Sequence, residues 1–383
     1  GDILFTHVTL VPYSKNGEQK TKPTQHSVKE LRSIGLQPDI LVGRATNKLD
    51  PDTKEKIALF CDVPTEAVFS NPDVSDIYHV PLMVEEEGLD EYVMERLDLT
   101  SEALPRAERD SRWREIVTRE KTGEVDIALV GKYDLEDAYM SVHEALKHAG
   151  LEHNVEVNVM WCDSDKMHDA HRERIREADG VVVPGGFGSR GTEGKIEAIR
   201  YARENDVPFL GLCLGFQMAV VEYARNVLDL EGAHSAELDP ETPHPVIDLL
   251  PEQKELDDMG GTMRLGAHET DIVPDTLAHE VYGVDACTER HRHRYEVNPA
   301  YIDRLEADDL VFSGTAGRRM EIVELDDHPY FIGTQFHPEF RSRPDRASPP
   351  FVGLVDAVLD RVAAHEDGET ADPATEETEV EAR

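Results

Sequence analysis

Hydrophobic positions along the chain follow two alternating periods, which predict strands followed by helices. Short apolar runs at 125–131, 155–161 and 207–210 predict buried strands. Between the first two runs, apolar residues recur at helical spacing: Leu135, Ala138, Val142, Ala145, Leu146 and Ala149. Strand–helix alternation of this kind predicts an α/β fold with a mostly parallel central sheet and helices on both faces.

The first hundred residues repeat this alternation as a separate block. The apolar run Val8–Val11 predicts a strand, and 38–44 predicts another. The segment between them predicts a helix that Thr24 or Ser27 caps and that ends at Gly35. A third segment, 53–61, predicts a helix or a helix–strand edge.

Charge and composition divide the chain further. The stretch 101–124 is charged and poor in aliphatic residues, which predicts an exposed linker helix between domains 1–100 and 125–364. A final helix is expected near 351–364. Residues 365–383 carry eight acids and one base, so we expect a disordered tail.

The charge balance excludes several classes of partner. With 40 basic and 79 acidic residues the net charge is −39, so we expect no nucleic-acid and no membrane partner. Only 13 of the 40 basic residues are lysine, and this acidic, lysine-poor surface indicates a cytosol of high salt. Four cysteines without a CxxC pair predict reduced thiols, no zinc site and a cytoplasmic location.

The beginning of the chain supports one further expectation. The sequence starts at Gly1 without methionine, inside a strand-like pattern, and it lacks a signal-peptide pattern. We therefore expect a fragment, or a processed chain, whose preceding residues are absent.

Cys213 is the clearest candidate nucleophile. It stands at the centre of Gly211-Leu212-Cys213-Leu214-Gly215, directly after a predicted strand and before a predicted helix. Glycines permit a steep turn that presents the central side chain, and a helix N-terminus stabilises a thiolate. A buried structural cysteine is the alternative, which the flanking glycines disfavour.

Two other strand ends supply the partners that a nucleophile needs. His337 and Glu339 flank Pro338 after a predicted strand, in the positions of a base and of the group that orients it. The loop 184–188, Pro-Gly-Gly-Phe-Gly, offers backbone N–H groups to an oxyanion, although a simple tight turn would explain it too. Strand carboxyl ends are where open α/β sheets build their sites.

These motifs resemble the class I glutamine amidotransferase domain. Two further stretches resemble the CTP synthase family in particular: 290–298 (RHRHRYEVN) and 17–31 (GEQKTKPTQHSVKEL). This resemblance covers residues 1–364. The resemblance implies the C-terminal part of a P-loop-like synthetase domain over 1–100, followed by a class I glutaminase domain. It implies a glutamine-hydrolysing ligase that aminates UTP to CTP with ATP.

The resemblance also assigns roles. Cys213 would form a glutamyl thioester, with His337 as base and Glu339 orienting it, while Gly186 and the Leu214 N–H hold the oxyanion. The matched glutamine-binding positions are Gly186, Leu214, Gly215, Phe216, Gln217, Glu237 and Arg292. The matched UTP and CTP positions are Lys20, Thr21, Lys22, Pro23, Thr24, Gln25 and Lys56. Val74 matches a position near the ATP base.

Lysine usage supports the nucleotide positions independently, because 7 of the 13 lysines fall within the first 56 residues. The chain contains no G-x-x-x-x-G-K-[ST] segment, although the family opens with a P-loop-like segment for ATP and magnesium. We expect Mg²⁺ with ATP upstream and no metal site in this chain. We also expect that the 383-residue chain alone makes no CTP.

The resemblance further implies a GTP activator, feedback inhibition by CTP and a homotetramer. Two other functions compete. Another triad glutaminase, such as one feeding GMP synthase, is disfavoured by the stretch 17–31. A structural or regulatory protein is disfavoured by an intact Cys213, His337 and Glu339.

Overall fold

The computed structural model describes residues 3–99, 111–133, 138–250 and 263–370, with no description of the side chains of Ser111 and 366–370. The chain divides into two compact units, Gly1–Thr118 and Arg119–Arg383. This division falls within the charged stretch 101–124.

The first unit contains a three-stranded parallel sheet in the order β1-β2-β3. Its strands are β1 (Thr6–Leu10), β2 (Ile40–Ala45) and β3 (Val68–Pro72). Its helices are α1 (Lys22–Ser33), α2 (Pro51–Cys61), α3 (Val80–Glu86), α4 (Leu89–Arg96) and α5 (Ser111–Thr118). Short 3-10 helices occupy Thr65–Ala67 and Ile77–His79. Segment 53–61 is thus entirely helical.

Helix α1 begins earlier than the sequence predicts. It starts at Lys22 after Thr21, and no side chain caps it, so the predicted caps Thr24 and Ser27 are wrong. Pro23 explains the difference. The N–H groups of the first helical turn have no intrahelical acceptor, so a proline there loses no hydrogen bond. Thr24 instead turns into the core, and its hydroxyl accepts a hydrogen bond from Thr9 at 3.3 Å.

The second unit is built on a nine-stranded sheet in the order β11-β10-β13-β14-β15-β7-β6-β4-β5. Its strands are β4 (Gly123–Gly131), β5 (Val155–Asp163), β6 (Gly180–Val183), β7 (Phe209–Leu212), β10 (Arg264–Ile272), β11 (Ala286–His293), β13 (Leu310–Ala316), β14 (Arg319–Leu325) and β15 (Phe331–Thr334). Strands β15, β7, β6, β4 and β5 are parallel, and the other four pair antiparallel. The predicted α/β class is confirmed.

Helices and a small second sheet complete this unit. The helices are α6 (Met140–His153), α7 (Asp169–Glu177), α8 (Thr192–Glu204), α9 (Leu214–Asn226), α10 (Leu277–Tyr282), α11 (Ile302–Leu305) and α12 (Pro349–Thr370). A three-stranded sheet joins β12 (Glu296–Val297), β9 (Pro245–Asp248) and β8 (His234–Ser235). A 3-10 helix spans Pro338–Arg341.

Two apolar clusters pack on opposite faces of the large sheet. Alternate residues of a strand point to opposite faces, and β4 divides its side chains in this way. Ala128 and Val130 join one cluster, whereas Ile127 and Leu129 join the other. Helices α8 and α9 contribute to the first cluster, and α6 and α12 to the second. This double burial holds the parallel strands rigidly, with their carboxyl ends at one edge.

Helix α12 extends beyond the predicted final helix. It continues to Thr370, so the predicted disordered tail is wrong for residues 365–370, and residues 371–383 lie outside the described residues. The buried stripe of Leu354, Val355 and Val358 anchors the helix, and the alanines and glutamates that follow have good helix propensity. Within the described residues, no helix combines the length and apolarity that crossing a bilayer requires.

Candidate active site

Cys213 occupies a strained turn between strand β7 and helix α9. Its backbone has φ 51° and ψ −95°, a conformation that costs a non-glycine residue on the order of 1–3 kcal/mol. The turn requires the following glycine, because a Cβ on Gly215 would lie 2.0 Å from the Val183 carbonyl oxygen. Helix α9 therefore starts against β6, and Cys213 is the residue directly before its first turn.

His337 and Glu339 lie beside this turn. Strand β15 pairs with β7, and the Cys213 N–H donates to the Thr334 carbonyl at 2.7 Å. The His337 Nδ1–H donates to Glu339 Oε1 at 2.8 Å. Burial lowers the pKa of His337, but the Cys213 sulfur and the Glu339 carboxylate outweigh it and raise the pKa to about 11. The imidazole is therefore doubly protonated and positively charged at neutral pH, next to the Cys213 sulfur.

The glycine loop 184–188 follows β6, the other neighbour of β7. A Cβ on Gly185 would lie 2.9 Å from His337 Cε1 and 3.5 Å from Cys213 Cβ, so only glycine lets the loop approach so closely. The Cβ position of Gly186 lies 3.2 Å from Lys132 Cε and 3.6 Å from the Leu214 side chain, so the loop packs against the first residue of α9.

These groups open onto a cavity of about 390 Å³. The residues that line it include Gly185, Gly186, Phe187, Cys213, Arg290, Arg292, His337 and Glu339. The Arg292 guanidinium is exposed and lies 5.6 Å from the centre of the Phe187 ring. The guanidinium can bind a carboxylate, and the buried Cys213 thiol can attack a carbonyl carbon. The cavity therefore fits a ligand that has a carboxylate at one end and a reactive carbonyl at the other.

Other predicted glutamine positions lie outside that lining. The Gln217 amide is buried and donates to the Tyr295 carbonyl at 3.2 Å and to Gln335 Oε1 at 3.1 Å. Phe216 is fully buried in the core beneath the turn. Glu237 is exposed and interacts electrostatically with Lys132.

The predicted nucleotide positions surround the start of α1 in the first unit. Lys20 and Lys22 are exposed there, whereas Thr21 and Thr24 are buried. The Gln25 side chain donates to Thr21 Oγ1 at 3.1 Å, which fixes the turn that Pro23 begins. Lys56 is exposed on α2, and Val74 is half-buried just after β3.

Polar residues around the nucleophile were missed by sequence reasoning. The Gln335 amide donates to the Cys213 sulfur at 3.8 Å, and its position between a strand and His337 was the available signal. Lys132 and Lys195 hold carbonyls of the glycine loop, but nothing in the sequence distinguishes them from surface lysines.

A buried polar cluster lies under strand β11. The stretch 290–293 alternates outward arginines with inward histidines, which the two-residue period of a strand explains. Burial, together with the Arg264 charge, lowers the pKa of His291 to about 2 and that of His293 to about 3, so both stay neutral. With Glu321, whose carboxylate pairs with Arg264, they bring three ligand atoms within 4.8 Å of one another. The set could hold a metal ion only in competition with that arginine.

Comparison with known proteins places this site in a family. A family model for glutamine amidotransferase class-I matches residues 134–357, and a model for the CTP synthase N-terminus matches residues 1–99. A CTP synthase of Halobacterium salinarum is 76% identical over 371 residues, covering 97% of this chain and 67% of that relative. The chain belongs to the CTP synthase family.

Further relatives agree with this placement. A CTP synthase of Haloarcula hispanica is 81% identical over 360 residues, covering 94% of this chain and 65% of that relative. This chain thus spans about 65% of the length of such CTP synthases. Among solved structures, the glutaminase domain of Trypanosoma brucei CTPS with bound acivicin is 36% identical, with a TM-score of 0.58 over 62% of this chain and 94% of that one.

Proposed function

We propose that the second unit hydrolyses glutamine at Cys213. The Cys213 thiolate attacks the carboxamide carbon, and the protonated His337 gives its proton to the nitrogen as the C–N bond breaks. Ammonia leaves and a glutamyl thioester remains. The now neutral His337 then takes a proton from water, whose oxygen attacks the thioester. The C–S bond breaks, glutamate is released, and the Cys213 thiolate and the protonated His337 are restored.

One observation carries this proposal. The strained turn at Cys213 places the sulfur beside a histidine whose proton is held by a 2.8 Å hydrogen bond to Glu339. A structural cysteine needs neither the positive φ nor the ion-pair partner. Glu339 keeps the ring oriented and stabilises the imidazolium, as the third member of a triad does.

Several neighbours complete the proposed glutamine site. The N–H groups of Gly186 and Leu214 would bind the oxyanion, and Gly215 and Phe216 support the turn. Arg292 would bind the α-carboxylate of glutamine, and Glu237 would bind its α-ammonium group. Gln217, whose amide lies behind the cavity, would act through Tyr295 and Gln335.

We infer that the ammonia is used for the ATP-dependent amination of UTP to CTP, in pyrimidine nucleotide biosynthesis. The match of residues 1–99 to the CTP synthase N-terminus supports this use over a GMP-forming partner. The exposed lysines at the start of α1 support binding of the UTP or CTP triphosphate by Lys20, Thr21, Lys22, Pro23, Thr24, Gln25 and Lys56, because the helix N-terminus adds partial positive charge. Val74 would lie near the ATP base.

Regulation and assembly follow from the family as proposals. Mg²⁺ would accompany ATP, GTP would activate glutamine hydrolysis and CTP would inhibit by competing for the UTP site. A homotetramer in the cytoplasm is the proposed working form.

Arg292→Ala tests the glutamine orientation. We expect the KM for glutamine to rise strongly, with the Cys213 turn intact. The cost is about 2–5 kcal/mol, because the bound glutamine would bury the charge pair between its carboxylate and this arginine. Steady-state release of glutamate at high salt measures this effect. Arg318→Ala is the matched control, since this exposed arginine lies outside the cavity lining. An unchanged KM in Arg292→Ala would remove the arginine from the site.

A further inference from the structure

Lys195 is a cation buried directly behind the glycine loop. Its side chain, on helix α8, has no exposed surface, and its Nζ donates to the Pro184 carbonyl at 2.7 Å. Burial and, to a smaller extent, the charge of Lys132 together lower its pKa to about 7, against the opposing effect of Cys213. Removing an ammonium group from water is costly, so this buried lysine lowers the stability of the fold.

The contact fixes the loop at the point where it meets the catalytic pair. A peptide unit is planar, so holding the Pro184 oxygen also fixes the direction of the Gly185 N–H. The Cβ position of Gly185 lies 2.9 Å from His337 Cε1 and 3.5 Å from Cys213 Cβ, so the loop packs directly against both residues.

Lys132 holds the other end of the same loop. Its Nζ donates to the carbonyls of Phe187 and of Gly188, the latter at 2.9 Å. Two lysines thus bind carbonyl oxygens at both ends of segment 184–188. Gly185, Gly186 and Phe187, which lie between these carbonyls or carry one of them, line the cavity.

We propose that Lys195 is a positioning residue of the glutaminase site, which holds the Pro184 carbonyl and places a positive charge behind Cys213. This inference rests on the proposed glutamine hydrolysis. The ammonium favours the two negatively charged species of the reaction, the thiolate and the oxyanion, over their neutral precursors. The charged groups that act on Lys195 are Lys132 and Cys213, so its effect falls on the reacting sulfur.

Lys195→Met tests the proposal, because methionine fills a similar volume without charge. We expect kcat for glutamine to fall by about 10- to 100-fold, with KM within about two-fold, since the lost interaction acts on charge that develops during reaction. The pH midpoint for alkylation of Cys213 by iodoacetamide, followed by peptide mass spectrometry, should rise by about one unit. The melting temperature should stay equal or rise, because a buried charge is removed.

Two further variants separate charge from structure. Lys195→Gln keeps an N–H donor but no charge, so its alkylation midpoint should rise as in Lys195→Met. Arg203→Met removes a cation from the same helix, where it pairs with Glu222 at 2.8 Å, and should lower the melting temperature without moving the midpoint.

Lys195 would have only a packing role if kcat and the alkylation midpoint were unchanged in Lys195→Met. The same would follow if activity fell only in proportion to a lower melting temperature. Alkylation does not require glutamine. A wild-type chain without glutaminase activity, but with the shifted midpoint in Lys195→Met, would therefore refute the proposed function and leave the positioning role standing.

Discussion

Gly215→Ala is the sharpest structural perturbation of the nucleophile turn. The added Cβ would lie 2.0 Å from the Val183 carbonyl oxygen and 3.0 Å from its carbon, and both are backbone atoms of a central strand. No flexible side chain can move away, so helix α9 must shift from β6 by more than 1 Å to restore a contact of about 3.4 Å. Overpacking of this kind costs about 3 kcal/mol or more. For a unit of this size, that lowers the melting temperature by roughly 6–12 °C.

The same shift should separate Cys213 from its partners. Thermal unfolding measured by circular dichroism, together with the Cys213 alkylation rate, tests this in a single preparation. Gly123→Ala is the matched control, because its Cβ meets nothing within 4 Å and it also lies in a strand of the second unit. If Gly215→Ala melted within 2 °C of the wild type and kept its alkylation rate, the close approach at this turn would not constrain the site.

Two other predictions concern charge. Burial and Glu339 raise the pKa of Glu289 to about 7, against the opposing Arg341, so the folded state loses stability as the pH rises from 4.5 to about 7. The free energy of unfolding of Glu289→Gln should therefore increase relative to that of the wild type by up to about 3 kcal/mol as the pH rises across that window. A difference in melting temperature between the two proteins that does not change with pH would contradict this. The net charge of −39 causes repulsion among the acidic side chains, and salt screens it. The melting temperature should therefore rise from 0.1 M to 1 M KCl, as the Debye length falls from about 10 to about 3 Å. A melting temperature that stays constant over this range would contradict the high-salt interpretation.

Patterns that depend on short-range periodicity were predictable from the sequence. The strands at β4, β5 and β7 and the helix α6 follow directly from apolar spacing, and the turn at Cys213 follows from its flanking glycines. Because β15, β7 and β6 are adjacent, three motifs far apart in the chain meet at one sheet edge. The alternation pattern indicated such an edge, but not the strand order.

Features set by tertiary packing were not predictable. In the sequence, Lys195 and Gln335 look like ordinary polar residues. Only the packed structure shows that Lys195 is fully buried and that Gln335 contacts the Cys213 sulfur. The start of α1 was misplaced because hydroxyl caps were favoured over Pro23, whose fit to a first helical turn decided the boundary. Helix α12 extends beyond the residues with apolar spacing because its first half is anchored in the core.

In the proposed reaction, Cys213 attacks glutamine with the help of His337 and Glu339. Acid quenching of the chain during turnover of glutamine, followed by peptide mass spectrometry, measures the covalent glutamyl adduct directly. We predict the adduct on Cys213 in the wild type, and neither adduct nor ammonia release in a folded Cys213→Ser variant, since a serine alkoxide is far harder to form. Ammonia release at the wild-type rate from Cys213→Ser, or an adduct on a different residue, would contradict the account.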